Sequence, residues 1–228
     1  MAVHPYHPYA VAFDVLETLI DLEPLSERFV EIGQPAELLR PWFLRTQRDG
    51  MALALTGELR SFPEVARQAL RTASGNTASE DGITHVLEGF GRLPAHPDAE
   101  PAMRRLHESG VRIGCLTQGS RAATTRFLES SGLDRFVETV VTAEEVGVWK
   151  PAPGVYHAAA AALETPREHL ALLAVHAWDC HGAKRAGCLA GWCSRLETEY
   201  GDVFTAPDAV GGTLTDVATG LLELTTAS

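Results

Sequence analysis

The stretch YAVAFDVLETLIDL, residues 9–22, constrains the fold of this chain more than any other. Residues 10–13 form an uninterrupted apolar run that ends on a carboxylate, Asp14. A short run of this kind, broken by a turn, reads as a buried parallel strand that opens into a loop at its carboxyl end. Ligands of open α/β sheets bind beyond the carboxyl ends of the strands, which puts Asp14 at the mouth of the sheet. An aspartate that merely caps a turn or helix satisfies the same local pattern. The rest of the chain has to decide between the two.

From Leu25 to about Phe90 the apolar residues recur at helical spacing, as in Phe62, Val65, Ala66, Ala69 and Leu70, with breaks at residues 56–58 and 75–81. This block contains no convincing strand and reads as a helical insertion. After residues 94–97, PAHP, short apolar strands and helices alternate: strands over residues 111–117, 137–142, 170–175 and 190–193, helices over 102–109, 121–131, 154–163 and 182–186. Alternation of this kind implies a Rossmann-like, doubly wound parallel sheet covered by helices on both faces. The fold class is therefore α/β, with residues 1–21 and 94–228 as the core and residues 22–93 as an inserted helical cap.

Composition narrows the partners. Of 228 residues 45% are hydrophobic, enough for a substantial core, and 30 acidic against 19 basic residues give a net charge of −11. That balance argues against nucleic acid, whose recognition rests on basic patches, but leaves room for a small anionic substrate met by one local arginine and one lysine. No segment reaches the roughly 18 apolar residues that span a bilayer, so no membrane partner is expected. The first residues, MAVHPYHPYA, lack a basic segment followed by an apolar one, and the four cysteines (Cys115, Cys180, Cys188, Cys193) form no C-x-x-C pair. Both features fit reduced thiols in a cytoplasm.

Each expected strand ends on polar residues: Asp14 with Thr18 four positions on, then Thr117, Gln118 and Ser120, then Lys150, then His176, Trp178 and Asp179. Taken singly, Thr117, Ser120 and Asp179 suit helix caps and Lys150 a solvated loop. Taken together, at successive strand ends of a doubly wound sheet, they converge on one crevice.

Four segments carry a resemblance: FDVLETL around Asp14, LTQGS at residues 116–120, VWKPAPGVY at 148–156 and AWDCHGAKRAG at 177–187. In this order along the core, with a helical block between the first two, the chain resembles the haloacid dehalogenase superfamily, and within it the (S)-2-haloacid dehalogenases. The resemblance implies that Asp14 is a nucleophile forming a covalent ester, that Thr18 and Thr117 donate to Asp14 or to a substrate carboxylate, and that Lys150 keeps Asp14 ionised. It further implies that Asp179 orients Lys150 and the attacking water, and that a cap arginine and Gln118, where the family has asparagine, receive the halide. Arg45 is the first candidate for that arginine and Arg48 the second. Trp42, Phe43 and Trp178 are candidates for a dry wall around the leaving group, with core packing the alternative for the first two. Tyr156 matches a family tyrosine at a spacing that also suits the core.

Phosphatases of the superfamily carry an acid two residues after the nucleophile and hold magnesium with further acidic residues. Here the first position is Leu16, which transfers no proton, and residues 174–176 supply no carboxylate before Asp179. That is a poor magnesium site. Halide leaves as a stable anion and needs neither acid nor metal, so the expected reaction is hydrolytic dehalogenation of short 2-haloalkanoic acids to 2-hydroxy acids, with no cofactor. A magnesium-dependent phosphatase of atypical motif and a weak or non-catalytic binding protein are the alternatives. Two departures stand out, Ala174 for a serine and His176 for an asparagine. His176 serves as the asparagine's replacement, as a base near neutral pH, or as a structural histidine bonded to a backbone carbonyl. The apolar residues Trp42, Phe43 and Leu44 permit a homodimer contact and equally permit burial within one chain.

Overall fold

The computed structural model describes residues 8–224, so all but Pro8 of the expected polar lead lies outside the described residues. Strand β1 (Ala10–Asp14) is buried along its whole length. Its pleat sends Val11 and Phe13 into one apolar cluster and Ala10 and Ala12 into another on the opposite face. This is why the segment reads as a continuous apolar run rather than an alternating one.

Between β1 and the second strand the chain is helical: α1 (Ser26–Glu31), α2 (Leu39–Leu55), α3 (Phe62–Ala73), α4 (Glu80–Glu88) and α5 (Ala99–Glu108). Helix α3 starts on a reciprocal cap between Ser61 and Glu64. Beyond α5, strand and helix alternate through β2 (Arg112–Thr117), α6 (Arg121–Ser131), β3 (Thr139–Thr142), α7 (Ala143–Val146), α8 (Pro153–Ala162), β4 (Leu170–Ala174), α9 (Ala177–Arg185), β5 (Leu189–Cys193), β6 (Ala209–Gly211) and α10 (Leu214–Glu223).

The strands form one parallel sheet of order β3-β2-β1-β4-β5-β6. The order reverses at β1, which lies between β2 and β4, with Asp14 opposite Leu116 and Phe13 opposite Leu173. The topological switch point, where such sheets hold their ligands, is therefore the carboxyl end of β1. Helices α5, α6 and α10 cover the face of Val11 and Phe13, and α8 and α9 cover the face of Ala10 and Ala12. Full burial of a side chain such as Phe13 contributes about 1.5–3 kcal/mol.

Two expectations change in extent. Helix α9 begins at Ala177 rather than near residue 182, so the fourth motif is helical from its start and Asp179 lies in the first turn. The third strand starts at Thr139 because Asp134–Phe136 form a 3₁₀ turn. Strand β6 and helix α10 were not anticipated; a three-residue strand offers no periodicity to read.

The helical block touches the core at two places that position the site. Its entry and exit are bonded to each other, Asp21 N–H to the Pro94 carbonyl at 2.9 Å and His96 N–H to the Leu19 carbonyl at 2.8 Å. Trp149, next to Lys150, reaches into the block, stacks on Phe62 with ring centroids 6.2 Å apart and donates its Nε1–H to the Arg60 carbonyl at 2.8 Å. A side chain at Gly50 would meet that indole at 2.2 Å, so only glycine lets α2 pass there. Among the described residues no helix is long and apolar enough to cross a membrane. All four cysteines are free and buried.

Candidate active site

Asp14 is 5% exposed, and the charged groups around it come from the ends of β1, β3 and β4. Lys150 Nζ lies 2.8 Å from Asp14 Oδ1 and Thr18 Oγ1 donates to Asp14 Oδ2 at 2.6 Å. The Thr18 oxygen in turn accepts the Val175 N–H at 3.1 Å, tying the loop after β1 to the end of β4. Burial pushes the Asp14 carboxyl up, but the charges of Lys150 and His176 outweigh it and hold the group well below the usual carboxylate range. Asp14 is thus an ionised carboxylate that is nearly stripped of water.

Lys150 is fully buried and bridges to Asp179 Oδ2, also at 2.8 Å. Burial disfavours its ammonium, but Asp14 and Asp179 more than compensate and raise its pKa. Asp179 is itself held by the Tyr156 hydroxyl, 2.6 Å from Oδ1. Tyr156 comes this close because Gly182 on α9 leaves room; a Cβ there would lie 2.4 Å from the tyrosine oxygen. Both Asp179 oxygens are engaged in a fully buried setting, where desolvation, reinforced by the nearby Asp14, pushes its pKa up despite Lys150. Tyr156 is 1% exposed, in keeping with its core spacing, and buttresses Asp179. Asp179 Oδ2 accepts from Lys150, the residue it was expected to orient.

The donor set does not fit magnesium. Leu16 stands two residues after Asp14, and Asp179 already has one oxygen on the buried Lys150 ammonium and the other on the Tyr156 hydroxyl, which leaves too few free hard-oxygen donors. Among the described residues no group of three or more His, Cys, Asp or Glu side chains is arranged to hold a metal ion.

On the other side of the nucleophile stands His176. Its Nδ1 is 3.3 Å from Asp14 Oδ2 and its Nε2 is 2.8 Å from Glu17 Oε2. The reading of His176 as a histidine bonded to a backbone carbonyl is therefore wrong: both ring nitrogens face carboxylates. Trp178 packs beside it with ring centroids 5.3 Å apart. Glu17 carried no role in the sequence reading. Nothing in the sequence reveals that the loop after β1 turns a glutamate onto the end of β4.

The second strand end is less filled. Thr117 is buried and its Oγ1 accepts the Gly119 N–H at 2.9 Å, whereas Ser120 caps α6 through the Ala123 N–H at 3.2 Å. Gln118 is 5% exposed, and neither its Oε1 nor its Nε2 has a partner. A buried amide left unpaired on both atoms costs stability and marks a place that binds something polar.

Two clefts open at the boundary between the helical block and the core. One, of about 540 Å³, is lined by Glu17, His176 and Trp178 from the core and by Leu39, Arg40 and Phe43 from α2. The other, of about 530 Å³, reaches Leu16, Gly119 and Ser120. Phe43 and Trp178 are on a cleft wall as expected. Trp42 is not: it is fully buried within the block and donates its Nε1–H to the Ala66 carbonyl at 2.8 Å. Arg45 and Arg48 are also misplaced by the sequence reading. They lie on a different face of α2, around a hollow with Leu38, Pro41 and Ala73, and Arg48 bonds Asp49. The α2 arginine on the cleft beside His176 is Arg40, one turn earlier. The helical spacing was legible, but the phase of α2 relative to the sheet was not.

A doubly wound sheet with a desolvated carboxylate at its switch point, locked to a buried lysine, defines an α/β site built around a carboxylate. Comparison with known proteins makes the class specific. Residues 9–187 match the model of the haloacid dehalogenase-like hydrolases, and the chain belongs to that family. It is 24% identical over 218 residues to an (S)-2-haloacid dehalogenase of Pseudomonas putida, covering 93% of this chain and 96% of that one. Among solved structures it resembles the L-2-haloacid dehalogenase of Xanthobacter autotrophicus, with a TM-score of 0.85 at 20% identity, covering 93% of this chain and 97% of that one. It also resembles the L-2-haloacid dehalogenase RSc1362, with a TM-score of 0.86 at 25% identity, covering 94% of this chain and 99% of that one.

Proposed function

We propose that the protein hydrolyses the carbon–halogen bond of short 2-haloalkanoic acids and releases 2-hydroxy acids, through an ester on Asp14. The observation that carries this reading is the buried Asp14 carboxylate held 2.8 Å from the Lys150 ammonium, with both Asp179 oxygens engaged by Lys150 and Tyr156 rather than left free for a magnesium ion. Leu16, 6% exposed, offers no acid for a phosphate leaving group. The dehalogenase relatives support the same choice of substrate.

In this mechanism an Asp14 oxygen attacks C2 in line with the halide, forming an O–C bond as the C–halogen bond breaks, with inversion at C2. A carboxylate excluded from bulk water is the more reactive for lacking a hydration shell, and its two side-chain partners keep it ionised and aimed. The unpaired Gln118 amide and Arg40 receive the departing halide, while Phe43 and Trp178 keep the cleft apolar. Residues 22–93 act as the cap over this reaction. Water then cleaves the ester at the aspartyl carbon.

Purified protein will release chloride from 2-chloropropionate at an undiminished rate in the presence of a chelator, read by ion chromatography. No halide from any of a panel of short 2-haloalkanoates would end this reading. Within it, Arg40→Met is expected to lower kcat/KM by about 10- to 100-fold, the range of one charge-assisted hydrogen bond. Arg45→Met should leave kcat/KM within about twofold, as for a surface change away from the site. The opposite ranking would return the halide to the Arg45 face.

A further inference from the structure

Glu17 has a φ of 66°, a left-handed conformation that residues with a Cβ avoid. Its neighbour Thr18 bonds Asp14 Oδ2, and its own carboxylate bonds His176 Nε2 at 2.8 Å, so this turn wraps the nucleophile and the imidazole together. The other ring nitrogen, Nδ1, is buried, lies 3.3 Å from Asp14 Oδ2 and lacks the alignment of a hydrogen bond with it. Asp179, the other candidate to activate a water, has both oxygens engaged by Lys150 and Tyr156 and no exposure to solvent.

Resting on the ester chemistry above, we propose that His176 is the base for the hydrolytic half of the reaction and that Glu17 is the residue that positions it. Burial opposes a charge on His176, but the neighbouring carboxylates of Asp14 and Glu17 raise its pKa to about 10. The resting enzyme therefore holds an imidazolium, which is no base. Alkylation of Asp14 removes the negative charge that holds the Nδ1 proton, whereas Glu17 still holds the one on Nε2. The Nδ1 proton passes to water in the cleft, leaving the lone pair of Nδ1 facing the ester.

Water then attacks the aspartyl carbon: its oxygen bonds to that carbon and one of its protons goes to Nδ1. The bond from that carbon to the ester oxygen breaks, and the alkoxide takes the remaining hydroxyl proton. Asp14 is again a carboxylate and His176 again an imidazolium. The sum is haloacid plus water giving hydroxy acid, halide and one proton. The formation of the ester is thus itself the switch that turns His176 from acid to base. Lys150 beyond Asp14 and, in the cleft, Arg40, Asp21, Glu23, Arg195, Glu197 and His96 are the other charged or titratable groups around this pair.

The test is rapid-quench reaction of excess 2-chloropropionate with wild type, His176→Asn, Glu17→Gln and Glu17→Gly, reading halide and the intact protein mass. For His176→Asn the expected result is a burst of one halide per enzyme, a lasting propionate adduct on Asp14, and a steady rate about 100-fold lower, as for loss of a general base. Both Glu17 variants should also accumulate adduct. Both lose the His176 ion pair and should melt lower, Glu17→Gly less so because it relieves the left-handed strain, yet both should keep the burst of halide while hydrolysing the ester more slowly, a split that a purely structural Glu17 would not give. Variants that turn over like wild type, or that lose the burst together with the steady rate, would overturn the pair while leaving the dehalogenase reading in place. A wild type that releases no halide and forms no adduct would overturn both.

Discussion

Replacing Asp14 with asparagine will abolish halide release, with kcat falling by about 10⁵- to 10⁶-fold, the scale seen when an enzyme loses its nucleophile. The substitution is close to isosteric, and the amide oxygen still accepts from Thr18, whose hydroxyl lies 2.6 Å from Asp14 Oδ2. Lys150 keeps Asp179 as a counter-ion at 2.8 Å, so the ammonium is not orphaned. Folding should therefore survive, and the lost activity will report chemistry rather than collapse. An amide has no negative charge with which to displace halide, so no ester should form. Halide assay and intact mass after incubation with 2-chloropropionate check both halves. Retention of more than about 1% of wild-type kcat would mean that water attacks the substrate directly and that Asp14 is not the nucleophile.

The sequence carried the sheet further than it carried the cap. The apolar run ending on Asp14 and the order of four polar strand ends were enough to bring Asp14, Thr18, Lys150 and Asp179 together, because a parallel strand leaves its register little freedom once both faces are buried. The same logic fails for α2. Its residues Leu39, Trp42, Phe43, Thr46, Gln47 and Gly50 are all buried, a wide apolar arc that serves both the helical block and the cleft. Periodicity shows that such a helix has a buried side but not which part of it faces the sheet. Arg45 and Arg48 are the sequence candidates for that reason, with Arg40 not among them, and Trp42 follows the core-packing alternative, its indole bonded to α3. His176 and Glu17 were hidden differently. They are 159 positions apart, and their pairing depends on a left-handed turn at Glu17 that no local rule predicts for a glutamate.

The turn at Glu17 also bears on why two unusual residues occur together. A histidine beside Asp14 without Glu17 would be a second buried cation near Lys150, with only Asp14 and Asp179 to balance the two. Glu17 restores the balance: three carboxylates (Asp14, Asp179, Glu17) surround two cationic groups within hydrogen-bonding range. His176 at the end of β4 and Glu17 after β1 read as one charge-compensated pair.

Lys150→Met is expected to have the largest effect on stability of any single change at the site. The methionine fills most of the volume but leaves Asp14 and Asp179 buried without their common cation, and removal of one partner of a buried ion pair costs about 3–5 kcal/mol. For a chain of this length that lowers Tm by about 6–20 °C. The loss should also depend on pH in a defined direction. In the wild type, the folded pKa of Asp14 lies below its ordinary 3.8. Its contribution is therefore present above pH 3.8 and is lost as pH falls through the lower folded value. Without Lys150, desolvation raises the folded pKa of Asp14, now opposed by His176 alone, and carries that of Asp179, already above 3.8 in the wild type, higher still. Asp179 then favours folding most when protonated and opposes it as pH rises through the raised value, and Asp14 loses part of the contribution it makes above pH 3.8. The difference between wild type and variant should accordingly widen from about pH 4 to pH 7. His176, whose raised pKa favours folding fully below 6.5 and loses that contribution as pH rises through about 10, keeps Glu17 in both proteins and perturbs the comparison mainly at the alkaline end. Urea melts at several pH values give the result directly. A deficit below about 1 kcal/mol that does not change with pH would show that Lys150 is not the charge holding Asp14 ionised, since removal of an effective buried counter-ion cannot be that mild.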